Sequence, residues 1–261
     1  MKEPLRTYKE ASPQHSFYRD MHKNQTYNYA LLKQLEYGEF GKRCRMTLKD
    51  ALSMMDRFVD PSDPDLISTP NLVHAYQTAE RIRRKYPHNY ELQLCGLIHD
   101  VGKILFAFGE PAWAVVGDTY PLGCAFQKSI VYYDTMGGNP DRDVPEYCTK
   151  LGVYPRGCGM RNLTMAFGHD EYLYLVLRHN RNHKLSERYW NIIKFHSFYP
   201  WHTGKDYRYF MDESDKSLLT DLIAFNEFDL YSKEDSTDIS RSVKKYYDDL
   251  LDYYFPEKLE W

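Results

Sequence analysis

Leu94, Leu97, Ile98, Val101, Ile104 and Leu105 recur at the i, i+3, i+4, i+7 spacing of a buried helical face, more clearly than any other run in the chain. In the middle of that apolar run stand His99 and Asp100, with Lys103 four residues beyond His99. An ionised aspartate facing such a core needs a partner, and a cation is the most economical one. On a continuous helix over 93–105, His99 and Lys103 share a face. Gly102 between them would let the helix end, or another group approach closely.

The same periodicity predicts helices over much of the rest. One follows Thr47 to about Phe58, one runs from Pro70 to Lys85 and stops before Pro87, and others cover roughly 169–180, 186–198, 216–228 and 238–254. Runs of β-branched residues are short, so the fold class is all-α or nearly so. Asp60-Pro61-Ser62-Asp63-Pro64-Asp65 cannot sustain a helix and reads as an acidic loop. Residues 109–163 are rich in Gly and Pro, a long loop region of the kind that often carries function. No repeat, low-complexity tract or Gly/Ser linker divides the chain. A single domain is expected: an irregular arm or lid over 1–45 with one helical piece at 27–37, and a helical catalytic part over 46–261.

Composition excludes several partners. With 43% hydrophobic residues and a net charge of -3 mixed along the sequence, nothing suggests a nucleic-acid surface. No apolar run approaches the ~20 residues that span a bilayer. The start, Met1-Lys2-Glu3-Pro4-Leu5-Arg6, lacks the apolar stretch of a signal peptide. Five scattered cysteines form no CxxC pair, so neither a disulfide framework nor a zinc ribbon is expected. A reduced, cytoplasmic setting follows, in which ferrous iron survives better.

Further histidines and aspartates sit among aromatic and aliphatic neighbours at His74, His169, His196 and Asp229. Taken singly, each reads as a hydrogen-bonded core residue, Lys103 as a solvated charge, and Asp229 as a group near a helix end. Taken in order, the set exceeds what one metal needs and suits two metals sharing a bridging carboxylate. Imidazole with carboxylate favours iron, manganese or zinc.

The order His74…His99-Asp100…Asp229 resembles the signature of the HD-domain superfamily, and His169 and His196 resemble its binuclear branches. Four longer words resemble the myo-inositol oxygenases within it: Gly96 to Ile104, Trp113 to Thr119, Gly168 to Tyr174, and Phe195 to His202. The resemblance implies a helical HD-type domain, a mixed-valent Fe(II)/Fe(III) pair, and cleavage of the myo-inositol ring by O2 to D-glucuronate. It implies one iron on His74, His99 and Asp229, a second on His169 and His196, and Asp100 as the bridge. It places Lys103 beside the substrate oxygens in a catalytic role with Asp100. Substrate contacts would come from Gly117, Asp118, His196 and Ser197, with Asp60, Ser62 and Asp63 of the acidic loop. Arg6 would close the site from the arm. A monomer acting on a small molecule is expected, without nucleic-acid or membrane partners. The alternatives are an HD-type phosphohydrolase, whose metals would activate water, and a helical binding protein with purely structural metals.

Overall fold

A computed structural model describes residues 12–62, 70–229 and 239–261. Among the described residues the regular elements are helical apart from one two-residue antiparallel pair, β1 (Arg45–Met46) with β2 (Leu259–Glu260), and an isolated bridge joins Pro121 to Met165. The nearly all-α expectation holds. Trp261, fully buried, locks that pair: its indole N–H donates to the Met46 carbonyl at 3.1 Å and its backbone N–H to Cys44 at 3.0 Å.

The N-terminal residues are more regular than an irregular arm. Ser12 caps α1 (Pro13–Asn24), with Pro13 fitting the first turn, and Thr26 caps α2 (Tyr27–Gly38). Only α2 was foreseen. α1 lies on the 3-10 turns at 112–114 and 133–138, burying Tyr18, Met21 and His22. Thr47 and Asp50 form a capping box for α3 (Leu48–Met54), which tightens into a 3-10 turn at 55–57 before the acidic loop.

The centre of the molecule is α4 (Asn71–Lys85) packed on α5 (Tyr90–Ile98). Gly96 permits the close approach, because a Cβ there would lie 2.6 Å from Ile82 Cδ1. Leu94, Leu97 and Ile98 are fully buried, each contributing roughly 2 kcal/mol of apolar burial. The helix expected to continue to residue 105 does not. It ends with His99 as its C-cap, passes through Asp100, and resumes as a 3-10 helix over Val101–Phe108 that Gly109 closes at φ +88°. Gly102 explains the break: a Cβ there would sit 2.1 Å from the His169 carbonyl oxygen, so the backbone of the next layer comes against it. In the tighter winding, three residues per turn, Lys103 meets Asp100 rather than sharing a helical face with His99.

That next layer is α6 (His169–His179) packed on α7 (Glu187–Phe195), followed by the short α8 (Tyr199–His202). A buried pair, Lys194 Nζ to Glu171 Oε2 at 3.1 Å, ties α6 to α7. α9 (Asp215–Asp229) packs on α7 and α4, and α10 (Arg241–Tyr254) on α5 and α3. The 109–163 region holds only short 3-10 turns, as its Gly and Pro content implied. Among the described residues, no helix is long and apolar enough to cross a membrane.

Candidate metal centre

Helix ends deliver the polar groups to one point. His99 caps the end of α5 and His196 the end of α7, where the last carbonyls lack helical partners. Each imidazole turns back on its own helix: His99 Nδ1 donates to the Gly96 carbonyl and His196 Nδ1 to the Ile193 carbonyl, both at 2.8 Å. His169 opens α6, and its Nδ1 donates to the Val115 carbonyl, also at 2.8 Å. A carbonyl can only accept, so these Nδ1 atoms carry protons, and the rings when neutral present bare Nε2 lone pairs. His74 comes from the first turns of α4 and Asp229 from the last residue of α9.

Two neighbouring groups result. Asp229 Oδ1 lies 3.0 Å from His74 Nε2 and 3.2 Å from His99 Nε2. Across from them, His169 Nε2 and His196 Nε2 face one another at 3.4 Å. Asp100 stands between: its Oδ2 is 3.6 Å from His99 Nε2, while its Oδ1 is 3.2 Å from His169 Nε2 and 3.7 Å from His196 Nε2. Asp170 Oδ1 adds a carboxylate 2.8 Å from His169 Nε2, 3.2 Å from His196 Nδ1 and 3.2 Å from the Ser197 hydroxyl.

The donors fit metal ions. With both rings neutral and protonated at Nδ1, the two facing Nε2 atoms are both acceptors, so the pair suits something positive between them, a proton or a metal ion. Asp60, Asp100 and Asp170 are buried and Asp229 nearly so, yet the only ammonium among the side chains placed here is that of Lys103. So much buried negative charge is offset either by protonated imidazole, as at His169, or by bound cations in its place. The local field reflects it. Burial raises the Asp100 carboxyl, but Lys103 and then His99 hold it well below the carboxylate range. Burial raises Asp229 too, and His99 and His74 override it. Burial lowers His169, yet Asp170 and Asp100 push it up to about 10. The ligand sets His74–His99–Asp229, His99–Asp100–His196 and His169–Asp170–His196 each gather donor atoms within 4.8 Å of one another.

A small cavity of about 60 Å³ opens beside this cluster. Of the expected substrate contacts, Ser62, Lys103, Gly117, Asp118, His196 and Ser197 line it. Gly117 adopts φ +104° under α1, where a Cβ would come 2.6 Å from Met21 Sδ. Asp118 is held by Tyr18, whose hydroxyl accepts from the Asp118 N–H at 3.3 Å and donates to Oδ1 at 3.1 Å. Asp60 is not on the wall. Its Oδ2 pairs with Lys103 Nζ at 2.8 Å and its Oδ1 accepts from the Ser62 N–H and hydroxyl, because the buried ammonium needs a counter-charge more than the cavity needs another acid. Arg6 and Asp63 lie outside the described residues. Sequence reasoning passed over Asp170, although it forms a second His-Asp dipeptide, the same signal that marked His99-Asp100.

Fold and site together define a nearly all-α protein whose helix ends enclose an imidazole–carboxylate centre suited to metal. The family profile for myo-inositol oxygenase matches residues 12–261. Among curated proteins, the chain is 45% identical to inositol oxygenase of Rattus norvegicus over 94% of its own length and 85% of that protein. It is 43% identical to inositol oxygenase of Danio rerio, covering 94% and 87%. It is 44% identical to a probable inositol oxygenase of Oryza sativa subsp. japonica, covering 94% and 80%. The chain belongs to the myo-inositol oxygenase family and is an enzyme of the oxygenase class.

Proposed function

We propose that this protein is a di-iron oxygenase that opens the ring of myo-inositol with O2 to give D-glucuronate. The observation that carries the reading is Asp100, whose two oxygens look toward different histidine groups. His74, His99 and Asp229 would hold one iron, His169 and His196 the other, and Asp100 both. When bound as a mixed-valent Fe(II)/Fe(III) pair, the irons supply electron transfer to dioxygen and Lewis acidity toward polyol oxygens.

The chain's own groups do the rest. Ser62, Asp118, Ser197 and the Gly117 backbone orient the polyol by hydrogen bonds, a role shared by Arg6 and Asp63. His196 contributes from the ligand side. Lys103, lifted above its ordinary pKa by Asp100 and Asp60 against the effect of burial, acts as a fixed positive charge where an inositol oxygen loses its proton. Asp60 serves this charge from behind. The balance is one inositol and one O2 to one glucuronic acid and one water: a ring C–C bond breaks and four electrons pass from the ring to O2.

The arm over 1–45, described from residue 12 onward, would belong to the same domain as 46–261 and act as its lid, a reading supported by Tyr18 of α1 holding Asp118 on the cavity wall. The protein would act as a monomer in the reducing cytoplasm, and five unpaired cysteines suit that compartment. The hydrolase alternative is disfavoured by the wall itself. Among the described residues no arginine lines the cavity, and Lys103 is already balanced by two carboxylates. Reconstitution with ferrous iron tests the proposal. One uronate per O2 consumed, dependent on myo-inositol, is expected; a sample holding two irons that takes up no O2 with inositol overturns it.

A further inference from the structure

The Lys103 ammonium is 3% exposed and has three N–H bonds to place. Asp60 Oδ2 takes one at 2.8 Å and Asp100 Oδ2 another at 2.9 Å. The third goes to the side-chain oxygen of Asn71 at 3.2 Å. Asn71 is 1% exposed and opens α4, three residues before His74. Its amide donates to the Phe58 carbonyl at 2.7 Å, at the base of the acidic loop. The amide cannot be reversed. A lysine only donates and a carbonyl only accepts, so the oxygen faces Lys103 and the nitrogen faces Phe58. Lys103 reaches the cavity wall, whereas Asn71 stays behind it.

We propose that Asn71 is a positioning residue, holding the Lys103 ammonium in place as a fixed positive charge beside the substrate. The inference rests on the proposed inositol oxygenase reaction. Asp60 and Asp100 supply counter-charge, but two carboxylates alone leave the ammonium one donor to spend elsewhere. A buried donor without a partner moves to find one. Asn71 closes that choice by supplying the third acceptor. It also fixes the lysine relative to the helix that carries His74, so the charge and the metal ligand share one frame.

The test compares Asn71→Leu and Asn71→Asp in the iron-loaded enzyme, with wild type alongside. Leucine removes both hydrogen bonds. Aspartate keeps an oxygen of the same reach toward Lys103 but gives up the donor to Phe58. Losing one hydrogen bond to a charged group corresponds to about a tenfold effect or more. The Leu variant is therefore expected to keep two irons and a KM near wild type while kcat falls about tenfold, a split that points to a transition-state contact. The Asp variant is expected to recover kcat to within about threefold of wild type. A Leu variant that turns over like wild type overturns the inference. So does an Asp variant impaired tenfold, and that second result decides the matter even if the Leu variant does not fold. Failure of the wild type to make uronate would instead overturn the underlying reaction, which separates the two claims.

Discussion

Buried beside two carboxylates, the Lys103 ammonium offsets charge that bound metal would offset as well. Removing it should leave the histidine ligands in place, since none of the four depends on it for a hydrogen bond that the described structure shows, and Asp100 keeps its contacts with His99 and His169. Lys103→Ala is expected to retain two irons and lose uronate formation by about two orders of magnitude or more, the scale of one preorganised electrostatic contact. Iron analysis beside a uronate assay checks this, and loss of the metal together with turnover would contradict it. His74, His99, His169 and His196 were legible in the sequence only as an ordered set with Asp100 and Asp229, since each alone reads as a hydrogen-bonded core residue. Asn71 and Asp170 were not, since asparagine and aspartate in a first helical turn are what any helix start favours. Asp60 was legible as functional, but only the fold shows that it faces Lys103 rather than the cavity.

At the level of elements, the fit of the Asp100 segment against α6 sets the distance between the two histidine groups. Gly102 is the contact point, with the His169 backbone carbonyl where a side chain would go. Gly102→Ala must therefore push the start of α6, and His169 with it, away from Asp100. A cost of roughly 2–3 kcal/mol is expected for such overpacking. For a chain of this size that lowers the melting temperature by roughly 5–10 °C, and iron content should fall with it. Gly137→Ala, where a Cβ would meet nothing within 4 Å, is the control and should melt like wild type. Periodicity placed the helices well where apolar spacing was regular, as in α4, α7 and α10. It failed where tertiary contact overrode it, as at His99, where a helix expected to run on gives way to a 3-10 turn. It also failed at α1, whose Ser12-Pro13 start was readable but whose run of Tyr, His, Arg and Lys hides the buried face.

For the whole molecule, the docking of α1 introduces a dependence on pH. His22 is fully buried against the 133–138 turn, with Nδ1 2.6 Å from the Thr135 hydroxyl. Burial lowers its pKa to about 3, with Asp134 opposing and His15 adding to the shift. Unfolded, it would titrate near 6.5. The unfolded chain then binds a proton that the folded chain refuses, so His22 costs nothing above pH 6.5. Below it, stability falls as pH drops toward 3, by about 1.4 kcal/mol per pH unit. Between pH 6.5 and 5 the loss from this residue is about 2 kcal/mol, and denaturant unfolding of wild type against His22→Gln should show that difference in slope; parallel slopes would contradict it. The central claim concerns the pair of metals on either side of Asp100, and Mössbauer spectroscopy of the iron-loaded, partly reduced protein reads it directly. Two irons per chain, magnetically coupled, with the spectrum of one altered by myo-inositol under anaerobic conditions, is the expected result. One iron per chain, or two uncoupled irons indifferent to inositol, would contradict it.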